Sequence, residues 1–167
     1  LTMMHKAAVS YYPSYVEINA IHGIDGSIAE KDITAYVYDT FLDSIQDDFG
    51  EREGLLFVGG FAHPPNADAV LWFAREIFPL IRRELPDVKF YVAGSKVTDE
   101  IKALEETEGG IIIKGFVSEE ELAQLYGQCR VVVVPLRYGA GVKGKVVEAI
   151  YNGAPIVTTS TGAEGIP

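Results

Sequence analysis

Val131-Val132-Val133-Val134-Pro135-Leu136-Arg137-Tyr138-Gly139-Ala140-Gly141-Val142-Lys143-Gly144-Lys145-Val146-Val147-Glu148-Ala149 is the stretch on which the reading of this chain turns. Four consecutive valines suit a strand that is dry on both faces, as strands of a parallel sheet are. Pro135 ends the run, and the residues from about Val142 to Tyr151 predict a helix that stops at Asn152-Gly153. Between them, Gly139, Gly141 and Gly144 let backbone come close to a ligand. The helix start offers free N–H groups and a partial positive charge, and Lys143 and Lys145 add two cations there. Such a turn suits a diphosphate. Lys145 and Glu148 are three apart and share a helix face, so Glu148 can take both hydroxyls of a ribose while Lys145 reaches the phosphates. By spacing alone, a solvated surface pair is the commoner outcome. The position after a buried strand favours the ligand reading.

Working outward, the same alternation recurs from Leu55 onward. Leu55-Leu56-Phe57-Val58 ends in Gly59-Gly60, Val88 to Ala93 ends in Gly94, Ile111-Ile112-Ile113 reaches Gly115, and Pro155 to Thr158 runs into hydroxyl residues. Helix patterns lie between them. Asn66 reads as an N-cap before a stripe of Val70, Ala74, Ile77 and Ile81, with Pro79 expected to kink or split that helix. Ser118 and Glu121 read as a capping box opening a helix with Leu122, Leu125 and Tyr126, and Thr98 to Glu106 is a shorter helical candidate. Repeated strand–helix–strand units imply a Rossmann-like α/β domain, a parallel sheet with helices on both faces. Ligands of such sheets sit beyond the carboxyl ends of the strands, which gathers the loops after Val58, Ala93, Val134 and Thr158 around one crevice.

Composition bounds the alternatives. The 167 residues are 48% hydrophobic and 23% charged, which suits one domain with a piece of a second. A formal net charge of −10 argues against nucleic acid as a partner. It leaves room for a small phosphorylated ligand. The single cysteine, Cys129, excludes an internal disulfide framework, fits a reducing cytoplasm and reads as a packing residue. No apolar run is long enough for a membrane span and no secretory signal is present. No Asp, His or Cys cluster has metal-ligand spacing. Residues 1–50, aromatic and turn-rich with an acidic linker over Leu42 to Glu53, read as the tail of a preceding domain, and residues 51–167 as the ligand-binding domain. Leu1 at one end and a turn at the other read as the cut ends of a longer protein, with this domain short at its C-terminal end.

Four further loop groups are candidates. Gly59-Gly60 could touch a phosphate or form only a tight turn, and it lacks the glycine fingerprint of dinucleotide enzymes. His63 could reach the crevice, although a lone loop histidine is more often only solvated. Gly94-Ser95-Lys96 could touch base or sugar, with a plain surface loop slightly the commoner reading for Lys96. Thr158 to Gly165, with Thr161, Gly162 and Glu164, supplies hydroxyls, N–H groups and a carboxylate at the same edge, or is only a turn.

Together these residues resemble the C-terminal domain of family 4 (group 1) glycosyltransferases of the GT-B fold. Leu56-Phe57-Val58-Gly59 is similar to the opening strand of that domain, Gly115-Phe116-Val117 to its Gly-Phe/Tyr-Val turn, and Val133-Val134-Pro135-Leu136 to its strand-to-proline turn. Glu148-Ala149 followed by Gly153-Ala154-Pro155-Ile156-Val157 is similar to its Glu-Ala…Gly-x-Pro-Val-Val run. The likeness covers Leu55 to Pro167; Ala7 to Glu17 looks like the end of the preceding domain and Ile33 to Tyr38 like the crossover strand before the hinge. Two positions depart from the pattern: Ala140 stands where the family carries the first of two paired glutamates, and Gly60 where an arginine usually holds the diphosphate.

The resemblance implies an enzyme of cell-surface glycan synthesis that moves a sugar from a UDP- or GDP-type donor to a glycan or lipid-linked acceptor, with retention. It implies no cofactor beyond that substrate and no metal. In this reading Lys143, Lys145 and the helix N-terminus stabilise the departing diphosphate, and Glu148 grips the ribose. Glu164 with nearby N–H groups faces the sugar or its phosphates, and Gly59, Gly60, Gly94, Ser95, Gly139, Gly141, Thr161 and Gly162 complete the donor site. The acceptor side would come from the chain's own N-terminal domain, with a cytoplasmic location that allows peripheral attachment to the membrane's inner face through that domain. The isolated piece would be inactive. A nucleotide-sugar 2-epimerase of the same fold and a silent nucleotide-sugar-binding module are the alternatives.

Overall fold

The computed structural model describes residues 2–33 and 50–166, so all of the expected crossover strand from Ile33 to Tyr38 except Ile33 itself, and most of the acidic linker, lie outside the described residues. The first part is a small β–α–β unit. Strands β1 (Ser10–Tyr12) and β2 (Glu30–Asp32) pair in parallel around helix α1 (Tyr15–Ile24). Ser14 caps α1, its hydroxyl oxygen accepting from the Val16 N–H at 3.2 Å. Sequence reading missed this helix because no residue of it is buried, which leaves no apolar stripe to recognise.

The second part is the expected Rossmann-like domain. Its strands are β3 (Leu55–Val58), β4 (Phe90–Ala93), β5 (Ile111–Gly115), β6 (Val131–Val134) and β7 (Ile156–Thr158), all parallel in the order β5-β4-β3-β6-β7. The helices are α2 (Pro64–Trp72), α3 (Phe78–Glu84), the short α4 (Asp99–Lys102) and α5 (Leu104–Thr107), then α6 (Glu119–Gln128) and α7 (Gly144–Tyr151). One core joins sheet and helices. Leu56, Phe57, Phe90, Val92, Val132 and Val134 are fully or almost fully buried, as continuous apolar strands require. Residues before β3 belong to this core as well: Arg52 is 3% exposed, and the Glu53 N–H donates to the Gln128 carbonyl at 2.9 Å. Cys129 is fully buried, and burial pushes its thiol up to about 11, as a packing residue requires.

Three helix signals read from sequence hold. Ser118 and Glu121 form the reciprocal capping box of α6, the candidate over Thr98 to Glu106 is helical as the two short pieces α4 and α5, and α7 stops at Asn152-Gly153 with Gly153 at φ 63°. Two differ. The helix expected from Asn66 starts earlier, because Pro64 and Pro65 need no N–H partner in a first turn, and His63 takes the cap position. The break at Pro79 is a π turn over Phe73–Ile77 in which the Phe78 N–H bonds back to Phe73. The buried face is therefore broader than the expected stripe: Phe73 and Phe78 both pack on Phe90, with ring centres 4.8 and 5.6 Å away. Among the described residues, no helix is long and apolar enough to cross a membrane.

Several glycines are set by close packing. A Cβ on Gly94 would lie 1.9 Å from the Gly59 carbonyl oxygen, and one on Gly162 2.0 Å from the Thr158 hydroxyl and 2.8 Å from the Val134 carbonyl. Gly115, at φ 66°, has open space where a Cβ would go. Gly94→Ala and Gly162→Ala should each cost more than about 3 kcal/mol or prevent folding, against about 1 kcal/mol for Gly115→Ala. Urea unfolding of the three variants checks this; equal losses would show that the loops yield.

Candidate functional site

The strand order reverses between β3 and β6, the switch point beyond whose carboxyl ends sheets of this kind bind ligands. The glycine-rich turn after β6 and Gly59-Gly60 after β3 flank it. Lys145, on the first turn of α7, reaches from one loop to the other. Its Nζ donates to the Asn66 side-chain oxygen at 2.6 Å and stands 4.2 Å from the centre of the Phe57 ring. The Asn66 amide nitrogen donates in turn to the Gly60 carbonyl at 2.8 Å. A Cβ on Gly59 would lie 2.5 Å from the lysine Nζ, so a larger residue there would collide with the ammonium. Burial, with the nearby charge of Lys143 adding to it, brings the Lys145 pKa down to about 7.

On the other side of the turn, Lys143 is tied inward. Its Nζ donates to the Gly141 carbonyl and lies 3.8 Å from the Glu164 carboxylate, both side chains being about one-tenth exposed. Glu164 also accepts from the Gly141 N–H and from the Ser14 hydroxyl, each at 3.1 Å. One carboxylate thus joins the glycine turn, the loop after β7 and the cap of α1. Gly139 and Gly141 adopt φ 122° and 78°, conformations in which glycine is favoured, and Pro65 of α2 stands 3.7 Å from where a Gly139 Cβ would be. Arg137, just before the turn, makes a two-bond pair with Asp68 of α2, Nε donating at 2.9 Å, and lies 5.5 Å from the Trp72 ring.

The expected site residues thus gather at one edge, with distinct jobs. Gly94 lies against Gly59, and the Ser95 carbonyl accepts from the Phe61 N–H at 2.9 Å while Ser95 itself is exposed. Gly162 is buried, its N–H donating to the Thr159 hydroxyl at 3.1 Å, and Thr161 precedes it in the same turn. Chain packing alone accounts for glycine at 94 and 162. Glu148 is partly buried, and burial raises its carboxyl above the usual range against a hydrogen bond from Tyr126. His63, Lys96 and Ala140 are exposed. Among the described residues no group of His, Cys, Asp or Glu converges as a metal site would require.

Sequence reading missed three parts of this arrangement. Asn66 sits inside α2 as the partner of Lys145, and the prolines before it were the available signal. The Arg137–Asp68 and Ser14–Glu164 contacts join residues 69 and 150 positions apart, beyond any local pattern.

The sequence profile of the family described as Glycosyl transferases group 1 matches residues 52–167. A protein of the Klebsiella pneumoniae cps region, of 44.6 kDa, is 35% identical over 117 residues, 66% of this chain and 30% of that protein. Among solved structures, S. aureus TarM, crystallised with Fondaparinux, α-GlcNAc-glycerol and UDP, superposes with TM-score 0.70 at 17% identity over 93% of this chain and 30% of its own. The pneumococcal O-GlcNAc transferase GtfA, with UDP and GlcNAc, does so with TM-score 0.63 at 23% identity over 94% and 31%. Anabaena Alr3699/HepE, with UDP and glucose, gives TM-score 0.65 at 17% identity over 94% and 46%. The chain thus spans about a third of the cps-region relative and a third to a half of these structures. Its fold is that of the GT-B glycosyltransferases' C-terminal domain, and the chain belongs to the glycosyl transferases group 1 family.

Proposed function

We propose that this chain is the donor-binding part of a nucleotide-sugar glycosyltransferase that builds a surface polysaccharide, with a UDP- or GDP-type donor and a glycan or lipid-linked acceptor. The observation that carries the reading is the difference among three cations at the crevice. Arg137 and Lys143 already face carboxylates, whereas Lys145 is held by a neutral amide and an aromatic face. A partly buried ammonium without a carboxylate partner attracts an anion strongly, because little solvent screens it. A diphosphate laid across the glycine turn meets that charge together with the start of α7. As the bond to the sugar breaks, negative charge grows on the diphosphate, and a cation fixed beforehand lowers the barrier. Glu148, one turn along α7 from Lys145, is placed for the ribose hydroxyls.

The roles of Lys143 and Glu164 change in this reading. Each already holds the other and the glycine turn, so they shape the loop that receives the donor, and Lys143 contributes its charge from behind. The UDP ligands of the three related structures and the cps-region relative are consistent with this donor class and with surface-polysaccharide synthesis. Acceptor binding and transfer would need the rest of a GT-B enzyme, and this chain alone should turn nothing over.

Calorimetric titration with UDP, GDP and their sugar conjugates is the direct test. One nucleotide should bind saturably, and Lys145→Ala and Glu148→Ala should each weaken it about tenfold or more. A wild-type chain that binds neither nucleotide at millimolar concentration would sink the reading. Affinity should also fall as pH rises through about 7, since the lysine then loses the charge that the phosphates meet.

Stability should move in the opposite sense. The Lys145 pKa is depressed from 10.5 to about 7 in the folded chain, so the unfolded chain binds the extra proton between those values. The resulting penalty on folding is absent above 10.5, grows as pH falls, and is complete below about 7. Lys145→Met should therefore unfold at higher urea than wild type, with the gap widening from about pH 10 down to about pH 7. A variant less stable than wild type at neutral pH would contradict a strained lysine.

A further inference from the structure

Asn66 is the third residue of α2 and only 7% exposed, so its amide is not a solvated tip. Both ends of the amide are in use, and the two bonds fix each other. The nitrogen must face the Gly60 carbonyl, 2.8 Å away, which turns the oxygen toward Lys145 Nζ at 2.6 Å. Gly59 leaves the room for this, since a Cβ there would lie 2.5 Å from Nζ and 2.9 Å from the amide nitrogen. β3 thus contributes Phe57, the following loop Gly59 and Gly60, and α2 Asn66. The charged group that acts on Lys145 is Lys143, just before α7; Glu148, one turn further along α7, takes a hydrogen bond from Tyr126 of α6 instead.

The chemistry of the amide decides what this arrangement can do. An aspartate of the same shape would form a partly buried ion pair, cancelling the charge and presenting an acceptor to the Gly60 carbonyl. Asparagine fixes the ammonium in space and leaves its charge uncompensated. An alanine would leave the lysine free to swing out of the loop.

We propose that Asn66 is a positioning residue for diphosphate binding, holding the Lys145 ammonium beside the loop after β3 through a neutral acceptor so that its charge stays available to the ligand. The proposal rests on the donor-site reading above and extends it to a residue that need not touch the ligand.

The test compares wild type, Asn66→Asp and Asn66→Ala, each also with Lys145→Met, by titration with the nucleoside diphosphate that binds wild type. NMR of the Lys145 side chain follows its protonation in the nucleotide-free proteins. Asn66→Asp should raise the Lys145 midpoint by about one pH unit or more and weaken binding about tenfold. Both Asn66 variants should lose affinity in the lysine background and lose nothing further in the Lys145→Met background. Unchanged affinity and midpoint in Asn66→Asp overturn the proposal while the donor site stands, as does an equal loss with and without the lysine. If neither UDP nor GDP binds wild type, the donor-site reading falls and the proposal with it. Should Asn66→Asp not fold, the Asn66→Ala cycle decides by the same rule.

Discussion

A positive charge drawn into the seam between β3 and β6 is the constraint around which the rest of this domain is arranged. The ammonium of Lys145 reaches there only because Gly59 has no side chain, Asn66 turns its amide oxygen inward and the Phe57 ring offers its face. Each of these conditions has its own support. The Gly59 carbonyl packs against Gly94, so two loops after adjacent strands close on each other with little slack. Asn66 depends on the two prolines that start α2 early enough to bring it three residues into the helix. The fold thus accepts a desolvated lysine at a place where an anion can make up the loss.

The opposite side of the crevice handles its charges differently. Glu164 accepts from the Gly141 N–H and the Ser14 hydroxyl and faces Lys143, so one carboxylate ties the β–α–β unit of residues 10–32 to the glycine turn. This contact joins the two parts of the chain at the loops that follow β1, β6 and β7. A shift of α1 would pull on Glu164 and through it on the turn where a diphosphate is expected. Lys143 faces a carboxylate, while Lys145 is held by a neutral amide and an aromatic ring.

Much of the architecture was legible because it rests on local patterns. Four valines or three isoleucines in a row have few uses other than a doubly covered strand, and Ser118 with Glu121 spells a helix start in four residues. The gathering of the glycine turn, Lys145 and Gly59 at one edge followed from the rule that ligands sit at carboxyl ends of parallel strands. What escaped was set by distance or by an absent pattern. Helix α1 buries nothing and so carries no stripe. The partners of Arg137, Lys145 and Glu164 lie in other elements, where only the folded chain brings them together. Asn66 was visible as a helix-start residue, yet a residue type cannot say whether its side chain caps its own helix or holds a lysine from another.

The π turn at Phe73–Ile77 places one residue more in its turn than an α-helix would. That extra residue spares the ring of Pro79 the carbonyl it would otherwise strike, and it keeps Phe73 and Phe78 together on Phe90. Insertion and proline are therefore a matched pair. A relative that lacks the extra residue should lack the proline as well, because either change alone sets the second half of the helix against the first.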